Sequence, residues 1–177
     1  MTVTAPNRTT LDNGLEAAER GWHVFPAPPG TKKSHKKAEH SGGRRWGATT
    51  DPDEIRRDWS RWPDANLGIV CGPESGLFVV EADSEAGHGV DGISALARLI
   101  EENGGLPDTI EALSPSGSWH IYFAWPDGAY IRNSAGLIAP GADVRGNGGV
   151  VLAPPSVKPG ADKPYRWKNP PGFFEPA

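Results

Sequence analysis

The chain has 177 residues, 37% hydrophobic and 23% charged, with a formal net charge of −4. That is enough for one domain with a real core or two very small ones, and it excludes a protein that is basic overall, so nucleic-acid contact has to come from a local patch. A single cysteine, Cys71, excludes an internal disulfide and a Cys-rich zinc site and suits a reducing, cytoplasmic setting.

Residues 1–10 read as a polar, flexible lead-in without a signal peptide, and no run approaches the ~20 apolar residues of a membrane span. Leu11 to Arg20 reads as a helix stopped by Gly21. Trp22 to Phe25 reads as a short strand, followed by a long loop, Thr31 to Thr50. That loop carries the only dense basic run: Lys32, Lys33, Lys36, Lys37, Arg44 and Arg45. A solvated loop is the plain reading of such a run. Segregation of these charges from an otherwise acidic chain, and Trp46 beside Arg44 and Arg45, favour contact with phosphate or a nucleic-acid template through Lys36, Arg44 and Arg45.

Thr50 or Asp51 caps a helix that runs to about Arg61, with Pro52 in its first turn. Leu67 to Cys71 is a strand. Gly72 to Gly76 then turns the chain into Leu77-Phe78-Val79-Val80-Glu81-Ala82-Asp83, and this succession suggests an antiparallel pair. Side chains in a strand alternate faces, so Val79, Glu81 and Asp83 share one. Two carboxylates side by side at the end of an apolar strand repel each other and are costly to desolvate; a divalent cation such as Mg²⁺ or Mn²⁺ is the usual remedy. A helix follows over about Ile93 to Glu102, then a strand over Thr109 to Leu113.

Two later strands repeat the polar pair at i and i+2. In Ser118 to Trp125, Ser118 and His120 share a face; around Asp143-Val144-Arg145, Asp143 and Arg145 do. If the three strands lie in one sheet with these faces aligned, they build an acidic metal site flanked by His120 and Arg145, suited to a metal-bound triphosphate. Residues 126–139 read as a connection with a short strand near Tyr130. Gly146-Asn147-Gly148-Gly149 between Asp143–Arg145 and Val150–Leu152 reads as a hairpin turn. Tyr165 to Trp167 is a last short strand.

In this order and spacing, several pieces resemble the bifunctional DNA primase/polymerase (Prim-Pol) domain of the archaeo-eukaryotic primase superfamily, of phage, plasmid and actinobacterial type. They are Gly21-Trp22-His23-Val24-Phe25-Pro26, Ala48-Thr49-Thr50-Asp51, Ala65-Asn66-Leu67-Gly68, Ser75-Gly76-Leu77, Ser118-Trp119-His120, and Asp143-Val144-Arg145-Gly146 through Ala153-Pro154-Pro155-Ser156. The resemblance implies an α/β (α+β) primase-polymerase fold, with a mainly antiparallel or mixed sheet carrying the catalytic acids and helices around it. It would occupy residues 11–168, with a Pro-rich linker beginning at 169–177. It implies that Glu81, Asp83 and Asp143 bind the catalytic metals, two Mg²⁺ or Mn²⁺ ions, and that Ser118 and His120 contact the phosphates of a nucleoside triphosphate. Arg145, on the same face as Asp143, either contacts those phosphates too or forms a salt bridge with Asp143. Its first acid is commonly Asp; here it is Glu81, one methylene longer, which could lower activity or shift preference towards Mn²⁺. Template and primer DNA, and a helicase region further along a longer chain, are the implied partners. Two other readings of the same residues are a catalytically weak module that binds single-stranded nucleic acid through the basic loop, and a metal-dependent phosphodiesterase.

Overall fold

The computed structural model describes residues 8–36 and 41–177. Helix α1 (Thr10–Glu19) starts at Thr9, whose hydroxyl accepts from the Asp12 amide while the Asp12 carboxylate accepts from the Thr9 amide. That reciprocal box satisfies two of the amides that a helix start leaves orphaned. Helix α2 (Pro52–Arg61) starts at Asp51, with Pro52 at its first position. Helices α1 and α2 pack on each other and on strands β1 (Val24–Ala27) and β2 (Asn66–Val70).

Among the described residues the strands form two antiparallel sheets. The smaller has the order β1-β2-β8, with β8 at Val150–Ala153. The larger has the order β6-β7-β3-β5-β4-β9. Its centre is β3 (Leu77–Ala82), between β5 (Trp119–Ala124) and β7 (Ala142–Arg145). Strands β4 (Glu111–Leu113) and β9 (Arg166–Asn169) close one side, and β6 (Ser134–Ala139) is the edge on the other.

The alternation of β3 divides the core. Leu77 and Val79 face the main apolar layer, where Trp22, Ile55, Trp59, Leu67, Ile69 and Tyr122 are buried. Val80 and Ala82 face the opposite way, into a second cluster with Leu96 of α4 (Gly92–Glu102). A one-turn helix, α3 (Glu85–His88), precedes α4. Gly92 lets α4 start hard against the sheet: a Cβ there would lie 2.1 Å from the Gly141 carbonyl oxygen. The Gly92 amide donates to the Asp83 carbonyl, and the Asp83 amide donates to that of Gly141. The end of β3 is thus fixed on both sides.

Several sequence expectations change. Asn147-Gly148 does not close a hairpin: β7 is already flanked by β3 and β6, and β8 pairs with β2 instead. Gly146 to Gly149 crosses from one sheet to the other. Gly72 to Gly76 makes the corresponding crossing between β2 and β3, so these strands are not an antiparallel pair either. The two crossings are tied together, since the Cys71 amide donates to Gly149 and the Gly148 amide to Cys71. The strand expected near Tyr130 lies at β6. Residues 169–177 pack on the domain: Phe174 joins the main core, and Ala177 exchanges hydrogen bonds with Ala124 and Thr109.

Candidate active site

Strand pairing brings the polar pairs together. Glu81 is opposite His120 on β5 and opposite Asp143 on β7. Asp83, just beyond β3, continues the same face. This is the face towards the smaller sheet, and at its end the apolar layer gives way to a cavity of about 330 Å³. Glu81, Asp83, Asp143, Arg145, Ser118 and His120 all line it.

Glu81 is only 5% exposed. Arg145 donates to its Oε2 from Nε at 2.8 Å, and the Lys32 ammonium lies 3.2 Å from Oε1. His120 Nε2 is 3.8 Å from Oε1. Burial alone would raise the carboxyl pKa; His120, Lys32 and Arg145 outweigh it and hold the group at about 2. Burial also pushes His120 down, to about 4. The imidazole is therefore neutral at pH 7, and Lys32 and Arg145 carry the compensation there. Among the described residues, the buried His120 Nδ1 has no hydrogen-bond partner.

Arg145 also donates to Asp143 Oδ2 at 3.0 Å, so one guanidinium bridges two of the acids. Asp143 Oδ1 accepts from the Gly136 amide. Asp83 is more open, with His88 Nε2 at 3.5 Å. Ser118 is buried; its oxygen accepts from the Ser84 amide at 3.2 Å, and its hydroxyl proton is left for another acceptor. The Ser114–Ser118 turn that presents it is braced by Ser84, which donates to the Ser116 carbonyl, and by Ser114, which accepts from the Ser118 amide.

Among the described residues no group of three or more His, Cys, Asp or Glu side chains stands assembled around a metal position. Lys32 and Arg145 lie against Glu81 where a cation would. The donor chemistry nevertheless fits a hard divalent ion: three carboxylates, on neighbouring strands and one face.

The basic run divides. Lys36 is buried, not presented to a phosphate: its ammonium contacts Glu54 at 2.7 Å, Asp58 at 2.5 Å and the Gly47 carbonyl at 2.9 Å. Desolvating a cation is tolerable only with such partners, so its role is to staple the loop to α2. Arg44 makes a two-pronged contact with Glu54, yet it remains exposed, as do Arg45 and Trp46. Arg45 lies over the Gly148 turn. Trp46 has a left-handed φ of 58° and stacks on Phe25. Arg44 and Arg45 line a depression with His23 and Glu74, separate from the acid cavity. Lys37 lies outside the described residues.

The cavity also holds groups that spacing did not single out: Lys32, His88, Lys158 and Tyr165. Lys32 was visible as a charge in the basic run, but nothing in its spacing tied it to Glu81.

These features define an α+β domain with a cavity lined by three carboxylates and their counter-cations at one end of its central sheet. The family model described as "Bifunctional DNA primase/polymerase, N-terminal" matches residues 14–177; the chain belongs to the Prim-Pol family. Membership implies a nucleotidyltransferase-type enzyme with DNA primase/polymerase activity in general. No curated protein matches the chain. Among the described residues no helix is long and apolar enough to cross a membrane.

Proposed function

We propose that this chain carries out metal-dependent, template-directed nucleotidyl transfer, making or extending primers in DNA replication. The observation that supports it most is the register that sets Glu81 between His120 and Asp143, with Asp83 one pleat further along the same cavity wall. Glu81, Asp83 and Asp143 would hold Mg²⁺ or Mn²⁺. When bound, two such ions activate the attacking oxygen and stabilise the leaving pyrophosphate.

The chain's own residues supply the rest. A primer 3′ oxygen forms a bond to the α-phosphorus, the bond to pyrophosphate breaks, and the hydroxyl proton leaves to solvent. The Ser118 hydroxyl donates a hydrogen bond to a phosphate oxygen, and Arg145 offsets charge on the phosphates. His120, neutral at pH 7, offers a ring N–H in the same place. Exposed Arg44, Arg45 and Trp46 provide cations and an aromatic face for template or primer. Template DNA, primer and nucleoside triphosphates are the partners of this reading, with a helicase region on a longer chain and a cytoplasmic setting.

The test is extension of a labelled primer on a DNA template with Mg²⁺ or Mn²⁺. Asp83→Ala and Asp143→Ala should each abolish extension while leaving the thermal melt near that of the wild type. The bridging of Glu81 and Asp143 by Arg145 favours a second reading, a single-strand-binding module with little catalysis. No extension by the wild type with either metal, together with affinity lost in Arg45→Ala, would select it. Degradation of labelled DNA without added nucleotide would instead indicate a phosphodiesterase.

A further inference from the structure

Among the described residues of the basic run, Lys32 is the one that the structure carries across to the acids. Its backbone segment is tied at both ends: the Thr31 amide donates to Pro28 and the His35 amide to Pro26, and Lys36 is stapled to Glu54 and Asp58. The Lys32 side chain is nevertheless 42% exposed, with only its tip engaged, on Glu81. Arg145 differs, because its guanidinium is held by Glu81 and Asp143 together. A lysine ammonium on a flexible stem is readily re-aimed, whereas a forked guanidinium held by two carboxylates is not.

Charge balance around the cavity points the same way. Glu81, Asp83 and Asp143 are matched by Lys32, Arg145 and Lys158, all lining the same space. A divalent cation taken up by the acids would leave an excess of positive charge, which a polyphosphate neutralises. Glu81 is nearly all buried, and Arg145 stays on its Oε2, so the departure of Lys32 uncovers Oε1, the oxygen that an arriving divalent ion would take.

We infer that Lys32 is a polyphosphate-binding residue held in reserve on Glu81. It neutralises Glu81 in the metal-free site and passes to the β- or γ-phosphate oxygens of the substrate when a divalent ion takes that carboxylate. The inference rests on the nucleotidyl-transfer reading and adds an order to it: ion first, then nucleotide.

The test uses Lys32→Met, which keeps the stem and removes the charge. Mn²⁺ binding is followed by the spin resonance of the free ion. Binding of a fluorescent, non-hydrolysable nucleoside triphosphate analogue is followed by anisotropy at saturating Mn²⁺. Lys32→Met should bind Mn²⁺ at least as tightly as the wild type, because a competing cation is gone, and should bind the analogue about tenfold or more weakly, the scale of one charged hydrogen bond. Lys32→Arg should keep analogue affinity within about threefold on the same scale, which separates loss of charge from loss of fold. Analogue affinity unchanged in Lys32→Met, or Mn²⁺ affinity lost in parallel with it, overturns the inference alone. A wild type that binds neither Mn²⁺ nor the analogue overturns the nucleotidyl-transfer reading and the inference together.

Discussion

Replacing Lys36 with Met decides whether this residue staples the loop or touches nucleic acid. The Lys36 side chain is 3% exposed and lies between Glu54 and Asp58. Removing one partner of a buried ion pair typically costs about 3–5 kcal/mol, because the remaining charge is left uncompensated. Two features reduce that figure here. Glu54 keeps Arg44, whose hydrogen bonds are the main cause of its pKa of about 2. Asp58, already raised by burial, can take up a proton. A loss of about 2–3 kcal/mol is therefore expected, a fall in Tm of roughly 4–12 °C for a chain of this size. A folded-state pKa raised above the unfolded value makes stability fall as pH rises through it. Without Lys36 the Asp58 pKa rises further, so the deficit should be largest at neutral pH and shrink as pH is lowered. Urea denaturation of both proteins at pH 7 and at pH 5 measures this. A variant as stable as the wild type at pH 7, with weakened DNA binding, would refute the staple and restore Lys36 as a surface contact.

Other expectations follow from the same structure. Burial lowers the folded-state pKa of His120 to about 4, so the unfolded chain binds the extra proton; stability should drop by up to about 3 kcal/mol as pH falls from 6.5 to 4, and His120→Phe should flatten that part of a stability–pH curve. The lowered Glu81 carboxyl, at about 2, adds stability that is complete above its unfolded value near 4.5 and disappears as pH falls towards 2. Gly92→Ala should cost about 1–3 kcal/mol in a thermal melt, since the new Cβ meets the Gly141 carbonyl at 2.1 Å; primer extension should fall with it as Asp83 shifts. If Arg45 contacts backbone phosphate, Arg45→Ala should weaken single-stranded DNA binding across sequences and lower the log–log salt slope by about 1; an unchanged slope would remove Arg45 from the interface.

The candidate site was legible because its information is local. Glu81 and Asp83 must share a face whatever surrounds the strand, and the same holds for Ser118 with His120 and for Asp143 with Arg145. Asp51 starts its helix through a contact two residues away; the Thr9 cap is as local, but residues 1–10 read as a flexible lead-in. Family order then supplied the expectation that the three strands adjoin, and the register of Glu81 with His120 and Asp143 meets it.

What lay beyond local pattern was decided by packing. Asn147-Gly148 satisfies turn chemistry equally well within a sheet or between two, and the choice was made by β2, which pairs Ile69 with Val151 at a distance in the chain. Lys32 and Lys36 are chemically identical and four residues apart, yet one reaches Glu81 and the other is sealed between Glu54 and Asp58. Alternation sets which way a side chain points from its own strand. Which cation becomes desolvated, and against which carboxylate, depends on the surfaces that the fold presses together, and no local spacing encodes those.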